Sequence, residues 1–221
     1  NFLAFERNIE INKTIERSSF IYPRKFLNPT KPLSSLELIE NVENNKFILI
    51  IDVLGSGKSR ALENIYEEIV DQNVNKEFWV SFISLEGNEN ILFSESPSYE
   101  VKIHELLGIT STFEKFAFEK FLKSSKVILL IDGIDHISSF VIHNLFLLIK
   151  NFDFHQIFLT SRFNLEILIT NELESCEVFT LAPLDREEKL NYLNSVQNNK
   201  VVTEITFKNL SMIDPLEYFA F

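Results

Sequence analysis

Cysteine is nearly absent from this 221-residue chain. Cys176 stands alone, which excludes an intrachain disulfide and fits a reducing, cytoplasmic compartment. Basic residues are also scarce, with 21 Lys and Arg against 32 Asp and Glu and a formal net charge of −11. Phosphate backbones are held by clustered cations, so this balance argues against non-specific nucleic-acid binding. Long apolar runs are missing too. FILII (47–51) and VILLI (127–131) have the length of strands and fall far short of the roughly 18 residues that span a bilayer, so no membrane segment is expected. His104, His136, His143 and His155 are scattered without metal-ligand spacing. Glycine is rare at five residues, and two of these, Gly55 and Gly57, sit three positions or fewer from Lys58.

Phenylalanine, by contrast, occurs 22 times, so aromatic packing should fill the interior, and no single Phe is assigned a function. A chain of this length suits one large domain, or one domain and the start of another, and can bury roughly 70% of its unfolded surface. It opens on Asn1 rather than methionine, and a piece of a longer protein is expected.

The most informative stretch is KFILIIDVLGSGKSRALENI, from Lys46 to Ile65. An apolar strand runs into a turn with Gly55, Ser56 and Gly57, then Lys58, Ser59 and Arg60, and Leu62, Ile65 and Ile69 then share one helical face. This is the order of a P-loop. Backbone N–H groups of such a turn wrap a phosphate chain at a helix N-terminus, lysine adds a point charge, and the serine hydroxyl can reach a phosphate-bound Mg²⁺. The pattern G-x-x-x-x-G-K-[ST] is broken at one position, where Asp52 replaces the first glycine.

Residues 1–45 read as an extended lead-in that packs on the core, punctuated by Pro23, Pro29 and Pro32, and then a helix opened by the Ser34/Glu37 capping-box spacing. From 46 to 182, strands at 47–51, 77–85, 127–131, 156–160 and 178–181 alternate with helical stretches. One of these is opened by Ser111 and Glu114 and carries Phe113, Phe116, Ala117 and Phe121 on one side. Continuous rather than alternating apolar strands belong to a parallel sheet covered on both faces, hence a three-layer α/β domain. From 183 to 221 the pattern is helical, with capping boxes at Asp185/Glu188 and Asp214/Glu217, and a truncated small helical domain is expected.

In parallel sheets the active crevice lies at the carboxyl ends of the strands. Asp52 to Ser59, Asp132 to Asp135 and Thr160 to Arg162 all follow expected strand ends, so three polar clusters should meet at one edge. Asp132, closing an apolar strand in a D-G turn, could hold Mg²⁺ with Ser59. Asp135 could orient an attacking water, and Arg162 could touch a terminal phosphate in one nucleotide state and lose it in the other. His136 is read as a loop histidine.

FILIIDVLGSGKS, VILLIDGID, IFLTSRF, VFTLAPLDREEKLNYL and DPLEYFA together resemble the successive motifs of a NACHT domain, in the STAND class of signalling P-loop NTPases. Asp132-Gly133-Ile134-Asp135 is the most specific part, and the similarity runs from about Tyr22 to the end. The resemblance implies a five-stranded parallel sheet of order 5-1-4-3-2, and a switch that binds ATP or ADP with Mg²⁺ and self-associates in the ATP state. It further implies that Pro215 lies near the adenine, that Arg162 is the phosphate-sensing arginine, and that flanking effector and repeat domains exist in the full chain. Two departures weaken turnover. His136 stands where the family has a second acid, and a carboxylate at Asp52 about 7 Å from a phosphate charge would repel it by about 2 kcal/mol at a dielectric of about 20, more than tenfold in affinity. A degenerate scaffold that has lost nucleotide binding is the alternative. A small-molecule kinase is disfavoured because no arginine-rich lid is evident.

Overall fold

The computed structural model describes residues 24–28, 31–41, 46–73, 77–93, 98–174 and 176–189. Seven strands form one sheet: β1 (Phe26–Asn28), β2 (Lys31–Leu33), β3 (Phe47–Ile51), β4 (Trp79–Ser84), β5 (Val127–Asp132), β6 (Gln156–Ser161) and β7 (Cys176–Leu181). Their order across the sheet is β2-β1-β7-β3-β6-β5-β4.

This corrects the expected count, and the order differs only by the two added strands: the five parallel strands, β7-β3-β6-β5-β4, keep the expected 5-1-4-3-2. The sheet has seven strands rather than five, because the lead-in contributes a hairpin, β1–β2, whose first strand runs antiparallel to β7 with Phe26 opposite Leu181. The remaining strands, β7-β3-β6-β5-β4, are mutually parallel neighbours. Arg24, buried ahead of the hairpin, ties it down by donating from Nη2 to the carbonyl of Ala182 at 3.1 Å.

Among the described residues the sheet is covered by α1 (Ser35–Asn41), α2 (Lys58–Gln72), α3 (Glu89–Phe93), α4 (Tyr99–Leu106), α5 (Thr112–Leu122), α6 (Ser139–Lys150) and α7 (Glu166–Glu172). Successive side chains of a strand point to opposite faces, and both faces here are apolar. Phe47 and Leu49 of β3, with Val127, Leu129 and Ile131 of β5, join the core under α3 to α7. Ile48 and Ile50, with Ile128 and Leu130, join the core under α1 and α2, where Leu38, Ala61, Leu62, Ile65 and Ile69 are buried. The unbroken apolar runs of the strands are thus explained by a three-layer packing.

Local chemistry starts the helices where the sequence predicts. Ser34 and Glu37, Ser111 and Glu114, and Asp185 and Glu188 each exchange side-chain and backbone hydrogen bonds as capping boxes. One expected face is corrected. Phe113 and Phe116 of α5 are 63% and 64% exposed, and the inward residue is Phe118, packed edge-on against Trp79 at 5.6 Å. Helix α3 and the hairpin were not foreseen. Among the described residues no helix is long and apolar enough to cross a membrane. Pro215 and residues 190–221 of the expected helical domain lie outside the described residues, as do residues 1–23 of the lead-in.

Candidate functional site

Parallel registration sets the geometry. Ile51 pairs with Ser161, Ile131 with Leu159 and Ser84 with Asp132, so β3, β5 and β6 end on one edge of the sheet. The loop after β3 is tied to β6 at once, because Asp52 N–H donates to the Ser161 carbonyl at 3.2 Å.

Gly55 and Gly57 both take positive φ, 77° and 91°. A side chain at either position would be strained, which accounts for two of the chain's few glycines. A Cβ built on Gly57 meets nothing within 4 Å, so the backbone there borders open space at the N-terminus of α2. Lys58 folds back over the loop and donates from Nζ to the carbonyls of Asp52 at 2.8 Å and Val53 at 2.9 Å. Asp52 turns its carboxylate into the loop, accepting the Val53 N–H on Oδ1 at 2.7 Å. Ser59 is exposed on the first turn of α2, Ser56 is buried, and Arg60 pairs with Glu63 at 2.6 Å along the helix.

On the neighbouring strands, Thr160 Oγ1 donates to Asp132 Oδ1 at 2.5 Å and accepts the Gly133 N–H at 2.9 Å. This threonine fixes both the acid and the turn that follows. Only its position before S-R hinted at that role. Gly133 has φ 79° and precedes a single 3-10 turn, Ile134–His136. A Cβ on Gly133 would lie 2.9 Å from Cδ2 of His136, so close approach as well as dihedral angle requires glycine.

Asp135 is placed differently from the expectation that it orients water. Its side chain is 2% exposed and faces Arg162, whose backbone N–H donates to Oδ1 at 3.0 Å and whose Nε lies 2.7 Å from Oδ2. Nη2 of the same arginine lies 3.2 Å from Nε2 of His136. Arg162 therefore forms a buried-carboxylate pair within the protein.

Electrostatics bind these groups to the P-loop. Burial lowers the Lys58 pKa from its ordinary value, the carboxylates of Asp135, Asp52 and Asp132 oppose that fall, and Arg162 adds to it. Asp52, Asp132, Asp135 and Arg162 thus all lie within electrostatic reach of Lys58. Hard oxygen donors at Ser59 and Asp132 suit Mg²⁺, which is held by few protein ligands and by phosphate oxygens.

Against known proteins, no family model matches the chain, and no curated protein does. Among solved structures, domain III of the Thermotoga maritima replication initiation protein DnaA aligns over 84% of this chain and 77% of its own, with a TM-score of 0.56 and 20% identity. The chain shares the three-layer α/β fold of that domain. A DNA replication initiation factor and C. elegans PCH-2 align less closely. Their TM-scores are 0.49 and 0.41, their identities 17% and 13%, and this chain covers 83% and 79% of itself but 56% and 42% of theirs. The loop after β3 lies at the carboxyl edge of the sheet, and Asp132 closes β5, which β6 separates from β3.

Proposed function

We propose that this chain is a nucleotide-binding switch domain of NACHT type. It takes Mg²⁺ with ATP or ADP at the carboxyl edge of the sheet, hydrolyses ATP slowly, and governs self-association. The observation that supports this most is the meeting of the glycine-bounded loop and Lys58 with Asp132 and Arg162, brought from three strands to one edge. Backbone N–H groups and Lys58 would hold the phosphates, and Ser59 and Asp132 would hold the metal, which supplies charge neutralisation between phosphate oxygens when bound. Slow turnover follows from the engagement of Asp135 by Arg162, which leaves no second free acid among the described residues of this turn. Self-association and the flanking effector and repeat domains rest on the resemblance.

Lys58→Ala tests the core of the proposal. Calorimetric titration with Mg·ATP should show binding to the wild type and a loss of at least tenfold in the variant, and equal affinities would remove the P-loop from the account.

A second reading, a scaffold without nucleotide, is favoured by one feature. The ammonium of Lys58 satisfies itself on carbonyls of its own loop. Nucleotide retained at one equivalent through purification would sink it.

A further inference from the structure

We infer that Asp135 is a positioning residue whose task is to hold the Arg162 guanidinium, rather than an acid that handles water. The functional half of this inference rests on the nucleotide reading above.

Three observations carry it. The Asp135 side chain is 2% exposed, so an attacking water would have to enter a space the protein has closed. Both carboxylate oxygens approach Arg162, Oδ1 accepting its backbone N–H and Oδ2 lying 2.7 Å from Nε, with Nε2 of His136 farther off at 4.0 Å. The two contacts act on different parts of Arg162, the first fixing the chain just past β6 and the second fixing the side chain. An ion-pair contact at Nε leaves the two terminal nitrogens for other partners, and at Nη2 the neighbour is the exposed ring of His136 at 3.2 Å. A carboxylate that grips a guanidinium by its Nε edge orients the terminal nitrogens without consuming them.

The anchor is built by the local backbone. Gly133, at φ 79°, starts the 3-10 turn that carries Asp135 beneath the loop after β6, while Thr160 holds the Gly133 N–H from that same strand. Asp132 and Asp135 therefore have separate duties on one short turn. Asp132 stays half-buried at the end of β5, held by Thr160, and Asp135 is turned under toward Arg162.

The test has two arms. In the nucleotide-free protein, ¹⁵N relaxation of arginine side chains should show an immobilised Arg162 Nε in the wild type, held by the ion pair with Asp135. That order should be lost in Asp135→Asn and in Asp135→Glu, a second variant that keeps the charge but shifts it by one methylene. A wild-type Arg162 side chain as mobile as a free surface arginine would overturn the anchor whether or not nucleotide binds.

The second arm is a cycle of Asp135→Asn, Arg162→Lys and the double variant, titrated with Mg·ATP and Mg·ADP. Each single variant should weaken ATP by about tenfold and ADP by less, and the double variant should lose no more than either alone. Multiplicative losses in the double variant would show that Asp135 acts independently of Arg162 and would overturn the inference. Failure of the wild type to bind any nucleotide would refute the proposed function instead, leaving the first arm to decide the anchor.

Discussion

At the scale of single residues, Gly133 joins two demands that can be separated by experiment. Its positive φ costs any other residue about 1–2 kcal/mol, and the approach of His136 to 2.9 Å adds a steric penalty. Gly87 has the same φ of 79° but open space where a Cβ would go. Gly133→Ala should therefore lower the urea midpoint more than Gly87→Ala, and His136→Ala should recover part of the difference. Equal losses at the two glycines would mean that the histidine simply moves aside. The motif residues themselves were legible because a P-loop is local chemistry: glycines that permit the turn, a lysine and a serine adjacent to it. The Asp135–Arg162 pair was not, because its partners are 27 residues apart in sequence and meet only after β5 and β6 align. Asp52 looked in sequence like a repulsive charge facing phosphate. Its hydrogen bond to Val53 turns it inward and moderates that expectation.

At the scale of elements, α5 shows what periodicity leaves open. Two aromatic stripes run along it, one through Phe113 and Phe116 and another through Phe118 and Phe121, and helical spacing alone accepts either. Trp79 decides, contacting Phe118 at 5.6 Å and Phe121 at 6.0 Å across the sheet face. Phe118→Ala should cost about 3–5 kcal/mol, as for a buried aromatic removed from a packed core, whereas Phe113→Ala and Phe116→Ala should stay within about 0.5 kcal/mol. Denaturant unfolding of the three variants would check this, and similar losses at all three would contradict the assigned face. Strands β3 to β7 and the capping boxes at Ser34, Ser111 and Asp185 were read correctly in kind because each depends on neighbours in sequence. The hairpin and α3 escaped for the opposite reason. Three-residue strands around prolines, and a five-residue helix in a polar stretch, become stable only through contacts with β7 and with α6.

At the scale of the whole molecule, the single thiol reports on the integrity of the sheet. Cys176 begins β7, between the hairpin and the P-loop strand, and burial, with Glu166 nearby, pushes its pKa up to about 11 from an ordinary 9.0. At pH 8 the thiolate fraction is then about a hundredfold below that of a free thiol, and a disulfide reagent should label the folded protein correspondingly slowly. Labelling as fast as in urea would show that β7 opens readily. Because the folded pKa is the higher one, the protonated thiol favours folding. This contribution is whole below pH 9 and declines as pH rises toward 11, so stability should fall over that interval and fall less in Cys176→Ala. The hairpin also determines what the outer margin of the sheet can do. Among the described residues its outermost strand is β2, which contains Pro32 with no N–H to offer an incoming strand, whereas β4 at the opposite margin has no proline between Trp79 and Ser84. If copies of this domain stack into a continuous β-ribbon, growth at the β2 side is blocked by that one ring, and any such polymer would have to extend from β4.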